Sequence, residues 1–129
     1  MKLSVDSLTR GLTFHGEVHG KRQHYYVLSS ARQYFVMSVS GAKRAAGNFN
    51  LIGKSAVDRL YRRLRGQRGL TARLVFDRTR NRRLVPSPLA ALNILYVLVA
   101  TNLASIDERH KSREIFFNMR RRSPTRERT

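Results

Sequence analysis

Residues 54–83 read KSAVDRLYRRLRGQRGLTARLVFDRTRNRR, and this stretch decides both the fold class and the functional reading of the chain. Ser55, with Asp58 three residues on, has the form of a capping box and predicts a helix beginning there. Val57, Leu60, Tyr61 and Leu64 fall at i, i+3, i+4 and i+7, which makes one apolar stripe on a helix. Arg59, Arg62, Arg63 and Arg65 take the remaining surface. Gly66 is the expected stop, because glycine accepts the left-handed backbone that commonly closes a helix.

The second half of the stretch fits two readings. Thr71 can cap a short helix running through Arg80. Alternatively, Ala72, Leu74 and Phe76 face inward along a strand, and Thr79 to Arg82 turn into a second strand at Arg83 to Val85. The compact apolar run Leu74-Val75-Phe76 leans slightly towards strand.

Whichever holds, ten arginines lie between Arg59 and Arg83 against one acid, Asp77. Such a concentration opposes folding by self-repulsion unless a polyanion neutralises it. Arg59, Arg62, Arg63, Arg65, Arg68, Arg73, Arg78, Arg80, Arg82 and Arg83 are therefore the expected nucleic-acid-binding face. If both halves are helical they resemble a helix-turn-helix, with Arg73, Arg78 and Arg80 entering a major groove. As a hairpin, the tip would carry Arg78, Arg80, Arg82 and Arg83 onto phosphates or into a minor groove. A merely solvated basic face is the dull alternative.

The whole chain points the same way. Its 129 residues suit one domain, 41% hydrophobic content suffices for a globular fold, and the net charge is +18 with a pI near 11.7. Of the 26 basic residues, 21 are arginine, the side chain that binds phosphate in a bidentate manner and stacks on bases. A GC-rich genome would produce the same bias without function. Charge is uneven: residues 84–119 carry three bases and three acids, whereas Arg120, Arg121 and Arg122 open a basic end that should extend the binding face. With no cysteine, disulfides, cysteine-ligated zinc and thiol catalysis are excluded, which fits an intracellular protein. No apolar signal core precedes the first strand.

Upstream, Leu12, Phe14, Gly16 and Val18 alternate with Thr13, His15, Glu17 and His19, the period of a half-buried strand. His19-Gly20-Lys21-Arg22 supplies a turn, and Tyr25–Ser29 and Tyr34–Val39 read as further strands of an antiparallel meander. Residues 40–53, punctuated by Gly41, Gly47 and Gly53, read as a connector with one helical turn at 42–46, pinned by Phe49, Leu51 and Ile52. Tyr25, Tyr26 and Tyr34 beside Arg22, His24 and Arg32 could stack on unpaired bases if the sheet is exposed, although burial of alternate rings is the commoner outcome. His15, Glu17 and His19 would share a strand face and offer a weak metal site. The same pattern follows from the polar side of any half-buried strand, so no metal and no cofactor are expected. The acids look scattered and no phosphate loop or catalytic triad occurs, so no enzymatic activity is expected.

Downstream, the apolar run Leu89 to Ala104 is too short to cross a bilayer, and no membrane association is expected. It predicts a helix apolar nearly all round, either central core or the seam of a homodimer. Ser105 with Glu108 repeats the capping pattern and predicts a last helix from Ile106 to about Arg120. The expected architecture is α+β: one basic domain over 1–119, an N-terminal antiparallel sheet of about three strands followed by about three helices, and a mobile arginine-rich tail over 120–129. The expected function is nucleic-acid binding through arginine-phosphate contacts, with DNA ahead of RNA. The alternative is an assembly subunit that binds an acidic protein partner through the same face.

Overall fold

Period-two alternation over residues 13–39 produces strands because each buries one row of side chains against a common helix. The computed structural model describes residues 11–20, 23–39, 46–109 and 113–121. Strands β1 (Thr13–His19), β2 (His24–Ser29), β3 (Gln33–Val39) and β4 (Ala46–Gly53) form an antiparallel meander in the order β1-β2-β3-β4. Val18, Tyr25, Val27, Tyr34, Val36 and Ile52 belong to the main core beneath the sheet. Leu28 and Met37 are buried on the opposite face with Leu12, Tyr26 and Phe35 against them, while Phe14 and Leu51 are more than half exposed (56% and 53%).

The fourth strand corrects the connector expected at 40–53. Ala46 pairs with Val39 and Gly53 with Gln33, so the glycines at 47 and 53 lie within a strand rather than marking a loop. Weak strand propensity is overridden by the open edge of β3, whose backbone groups need partners. Leu51 is not an anchor, and the helical turn expected at 42–46 is contradicted at Ala46; residues 42–45 lie outside the described residues. So do Lys21 and Arg22, but the turn they belong to closes with a hydrogen bond from the Gly20 N–H to the Gln23 carbonyl (2.9 Å).

Helix α1 (Lys54–Leu64) continues directly from β4. Its stripe is as expected, with Val57, Leu60, Tyr61 and Leu64 buried. Its start is not: Gly53 holds the cap position without a side-chain hydrogen bond, and Ser55 lies inside the helix. The Lys54 N–H instead donates to the Arg32 carbonyl of the β2–β3 turn (2.9 Å), so a tertiary partner replaces the local cap. Gly66 closes the helix at φ +76° as anticipated.

Residues 72–78 are helical and 82–84 form a turn, so neither strand of the expected hairpin is present. Helix α2 (Ala72–Arg78) is capped by Thr71 Oγ1, which accepts from the Leu74 N–H at 3.1 Å. It buries Val75 and stops two residues short of Arg80. Helix α3 (Pro88–Ala100) begins with proline in its first turn and a Ser87 cap, and it is the hub of the fold. Ala91, Asn93, Ile94, Leu95, Tyr96, Val97 and Leu98 are all buried, covered by the sheet on one side and by α1 and α2 on the others. Asn102, at φ +66°, turns the chain out of α3.

Among the described residues the last helix is absent. In its place stand two short antiparallel strands, β5 (Ala104–Ile106) and β6 (Phe117–Met119), with Leu70 bridged to Phe117 on the far side of β6. The Ser105–Glu108 capping pattern loses to long-range pairing: Phe117 is fully buried, and the Leu70 and Phe117 backbones exchange hydrogen bonds of 2.9 and 2.7 Å. The architecture is thus α+β, with a four-stranded N-terminal sheet, three helices and a closing strand pair.

Candidate nucleic-acid interface

Once the apolar stripe of α1 is committed to the core, its remaining side chains must point outward. Arg59, Arg62 and Arg63 are exposed on that outer face, and Arg65 follows at its end. Residues 66–70 run beside β6, which places exposed Arg68 on the same edge. The Met119 N–H donates to the Gln67 carbonyl (2.8 Å), and the Gly69 N–H donates to Asn118 Oδ1 (2.9 Å).

This pairing carries Arg120 and Arg121 to the C-terminal end of α1. The Tyr61 hydroxyl (2.9 Å) and the Gly66 N–H (3.2 Å) both donate to the Arg120 carbonyl. Arg65 Nε donates to the Arg121 carbonyl at 3.0 Å. Seven exposed arginines, Arg59, Arg62, Arg63, Arg65, Arg68, Arg120 and Arg121, are in this way gathered around one helix end and the strand beside it. None of the seven is ion-paired among the described residues. Arg122 lies outside the described residues, and the tail expected from 120 has its first two residues bonded to the domain.

The other arginines of the basic stretch sit on α2 and the turn after it. Arg73 pairs with Asp77 across one helical turn (3.7 Å) and lines a cavity of about 550 Å³ with Tyr25, Leu89, Leu92, Tyr96 and Arg113. Arg78, Arg80 and Arg83 are exposed. Arg82 is turned back on the protein: Nη1 donates to the Thr79 (2.9 Å), Phe76 (3.1 Å) and Val85 (3.4 Å) carbonyls, and the guanidinium lies 3.8 Å from the Phe76 ring centre. Its side chain thus satisfies carbonyls at the C-terminal end of α2, whose C-cap residue is Thr79. Helix-turn-helix pairs have a turn of about three or four residues. Here the connection spans 65–71 and is tied into the β6 edge, and α1 and α2 each pack on α3.

The three stacking candidates separate. Tyr25 stacks on Tyr96 inside the fold (4.5 Å between ring centres), and Tyr34 meets His15 edge-on (5.5 Å) and lies beneath the Lys54 ammonium. Burial pushes the Tyr34 and Tyr96 hydroxyls above the usual phenol range, with Asp58 adding to the effect at Tyr34 and Tyr25 at Tyr96. Tyr26 lies on the outer face of the sheet, against Phe14.

The expected metal face also divides. A bulge in β1 between Phe14 and Gly16 leaves His15 unpaired and turns it to the helix side, where its Nε2 is 2.7 Å from Ser29 Oγ. Burial, then the Lys54 charge, lowers its pKa below the ordinary histidine value. Glu17 and His19 remain together on the other face and are joined by His24 from β2, a neighbour of Tyr25 and Tyr26 in the sequence. Only the strand register could have revealed this replacement.

The helix expected as a dimer seam has its middle turns occupied within the monomer, leaving Leu89 (59% exposed) as its exposed large apolar residue. Asn93 is buried, and no buried side-chain polar atom among the described residues lacks a partner. No described helix is long and apolar enough to cross a membrane. Comparison with protein-family models, with curated proteins and with solved structures gives no match.

Proposed function

We propose that this chain binds nucleic acid through phosphate contacts of one arginine surface formed by Arg59, Arg62, Arg63, Arg65 and Arg68 with Arg120 and Arg121. The observation that supports it is the anchoring of Arg120 and Arg121 at the end of α1 through Tyr61, Arg65 and Gly66. Cations near a helix C-terminus each gain roughly 0.3–1 kcal/mol from the helix dipole, but seven guanidinium groups in one region, none ion-paired among the described residues, repel one another, and a polyanion relieves that repulsion. Arg78, Arg80 and Arg83 offer a further exposed set. Arg73, paired with Asp77, and Arg82, bonded to carbonyls, rank behind them.

DNA stands ahead of unpaired RNA in this reading, because two of the three candidate stacking rings, Tyr25 and Tyr34, lie on the covered side of the sheet. Binding of this kind is led by the backbone and independent of sequence.

The test is a salt titration of binding to duplex DNA, single-stranded DNA and RNA, with the full chain and with the Arg62→Glu/Arg63→Glu variant. Contact with roughly four to six phosphates gives a log-log slope of about −4 to −5 on duplex DNA, and the variant flattens it. A slope near zero on all three polymers would sink the proposal. Failure to retard any nucleic acid, combined with capture of an acidic polypeptide such as polyglutamate, would assign the same face to an acidic protein partner.

A further inference from the structure

The outer face of the β1–β2 hairpin holds a second constellation, chemically unlike the arginine surface. His19 and His24 are directly paired across the strands, and Glu17 projects from the same side two residues before His19. Alternation brings Glu17 and His19 together, and the His19–His24 register supplies the second imidazole. His24 Nδ1 lies 2.7 Å from Glu17 Oε2, and His19 Nε2 lies 4.0 Å from the same oxygen. The two rings are 4.1 Å apart between centres. One donor atom from each of the three residues falls within 4.8 Å of the other two.

We propose that Glu17, His19 and His24 bind a divalent transition-metal ion of the zinc class. Two imidazoles and one carboxylate are the donors that such a borderline ion prefers over magnesium or calcium. At metal–ligand distances of about 2.0–2.1 Å, tetrahedral donors stand roughly 3.3 Å apart. The separations of 2.7 and 4.0 Å straddle that value, so small side-chain rotations close the set. Because all three groups are exposed, a metal can enter without opening the fold.

The surroundings favour a cation, although the chain carries a net charge of +18. His19 also lines a cavity of about 190 Å³ with Asp107, Glu108 and Glu114, contributed by the segment between β5 and β6. Asp107 is neutralised by Arg109, which binds both of its oxygens. Glu108 and Glu114 line the same cavity, in a part of the molecule remote in sequence from the arginine stretch. The ion would clip the two strands of a hairpin whose turn spans Gly20 to Gln23. It would therefore bind the folded hairpin in preference to the unfolded chain and stabilise it by mass action.

The site is independent of the nucleic-acid reading and is measured without any polyanion. Tag-free full chain is titrated calorimetrically with ZnCl2, and Tm is followed by circular dichroism with and without the metal. The expected result is one saturable equivalent of Zn2+ with a rise in Tm. His19→Ala and His24→Ala each weaken binding by at least about tenfold, since even residues behind the direct ligands typically change metal affinity 10–100-fold. His15→Ala, on the other side of the sheet, binds as the parent does. Glu17→Gln retains an acceptor for His24 but loses the charge, and it serves as the ligand variant where an alanine variant fails to fold. Absence of a saturable equivalent in the parent, or undiminished binding in the His19→Ala/His24→Ala double variant, overturns the assignment.

Discussion

Arg65 Nε donates to the backbone carbonyl of Arg121 at 3.0 Å, joining residues 56 positions apart in the chain. This contact, with Tyr61 on the preceding carbonyl, makes the basic helix and the beginning of the basic C-terminal stretch one surface. The charges of a tail free to wander would add avidity without geometry. Tied down at Arg120 and Arg121, they have a fixed place beside Arg65.

Gly66 is the hinge of that junction, and its replacement should loosen it. The residue sits at φ +76°, and a methyl group there would meet the Arg121 side chain at 3.1 Å. A left-handed backbone costs a residue with a Cβ about 1–2 kcal/mol. Gly66→Ala is expected to lower stability by about that amount in urea denaturation. Gly69, also at positive φ but with open space around it, bears the backbone cost alone, so Gly69→Ala is expected to cost less.

Arginines that look equivalent in the sequence should behave oppositely. Arg82 donates to three carbonyls, and hydrogen bonds from charged groups contribute roughly 1.5–3 kcal/mol before solvent exposure is discounted. Arg82→Ala is expected to lose about 1–2 kcal/mol of folding stability while changing the salt slope of nucleic-acid binding little. Arg63→Ala should leave stability within about 0.5 kcal/mol, as is usual for an exposed side chain, and reduce that slope by about one. Paired denaturation and salt-titration measurements on the two variants check this.

Alkaline pH should destabilise the fold through its tyrosines. Tyr34 and Tyr96 both have hydroxyl pKa values raised above the ordinary value of 10.0 by burial. The unfolded chain ionises these phenols first, so their contribution is intact below pH 10 and is lost as pH rises above it. Ultraviolet titration should show these two phenols resisting ionisation until unfolding. Tyr96→Phe, tested by denaturation at a series of pH values, should give a stability curve that falls less steeply above pH 10.

Two glycines of the first hairpin should differ in tolerance. A Cβ at Gly20 would lie 2.9 Å from the Tyr25 ring, 3.0 Å from the Tyr96 hydroxyl and 3.2 Å from the Gln23 carbonyl, so Gly20→Ala should cost about 1–3 kcal/mol by overpacking. A Cβ at Gly16 would reach the Ala100 carbonyl at 3.5 Å, an ordinary contact, and Gly16→Ala should stay within about 0.5 kcal/mol. Thermal unfolding of the two variants distinguishes them.

The elements legible in the sequence were those with strong local signals. The stripe Val57, Leu60, Tyr61, Leu64, the stop at Gly66 and the all-apolar run from Leu89 each state a helix feature within a few residues, and all are present, whereas at 71–85 the slight lean to strand yields to the helix that Thr71 caps. The α+β class follows from them and from the alternation in the first strands. The misreadings arose where local and long-range preferences disagree. Ser55 and Ser105 both carry capping patterns, yet Lys54 finds the Arg32 carbonyl, and the last segment pairs with residues 66–70. Strand β4, rich in glycine and asparagine, has little intrinsic preference and exists because β3 offers it an edge.

The density of arginine and the near-neutrality of residues 84–119 are properties of the sequence alone. So is the division of α1 into an apolar stripe and a basic remainder, because helical period converts spacing directly into faces. Which arginines stand together was decided by tertiary structure. Register is set by pairings between segments far apart in the chain, and a single bulge or an added strand rearranges what lies side by side. Such pairings brought Arg120 and Arg121 to Arg65 and replaced His15 with His24 beside Glu17 and His19.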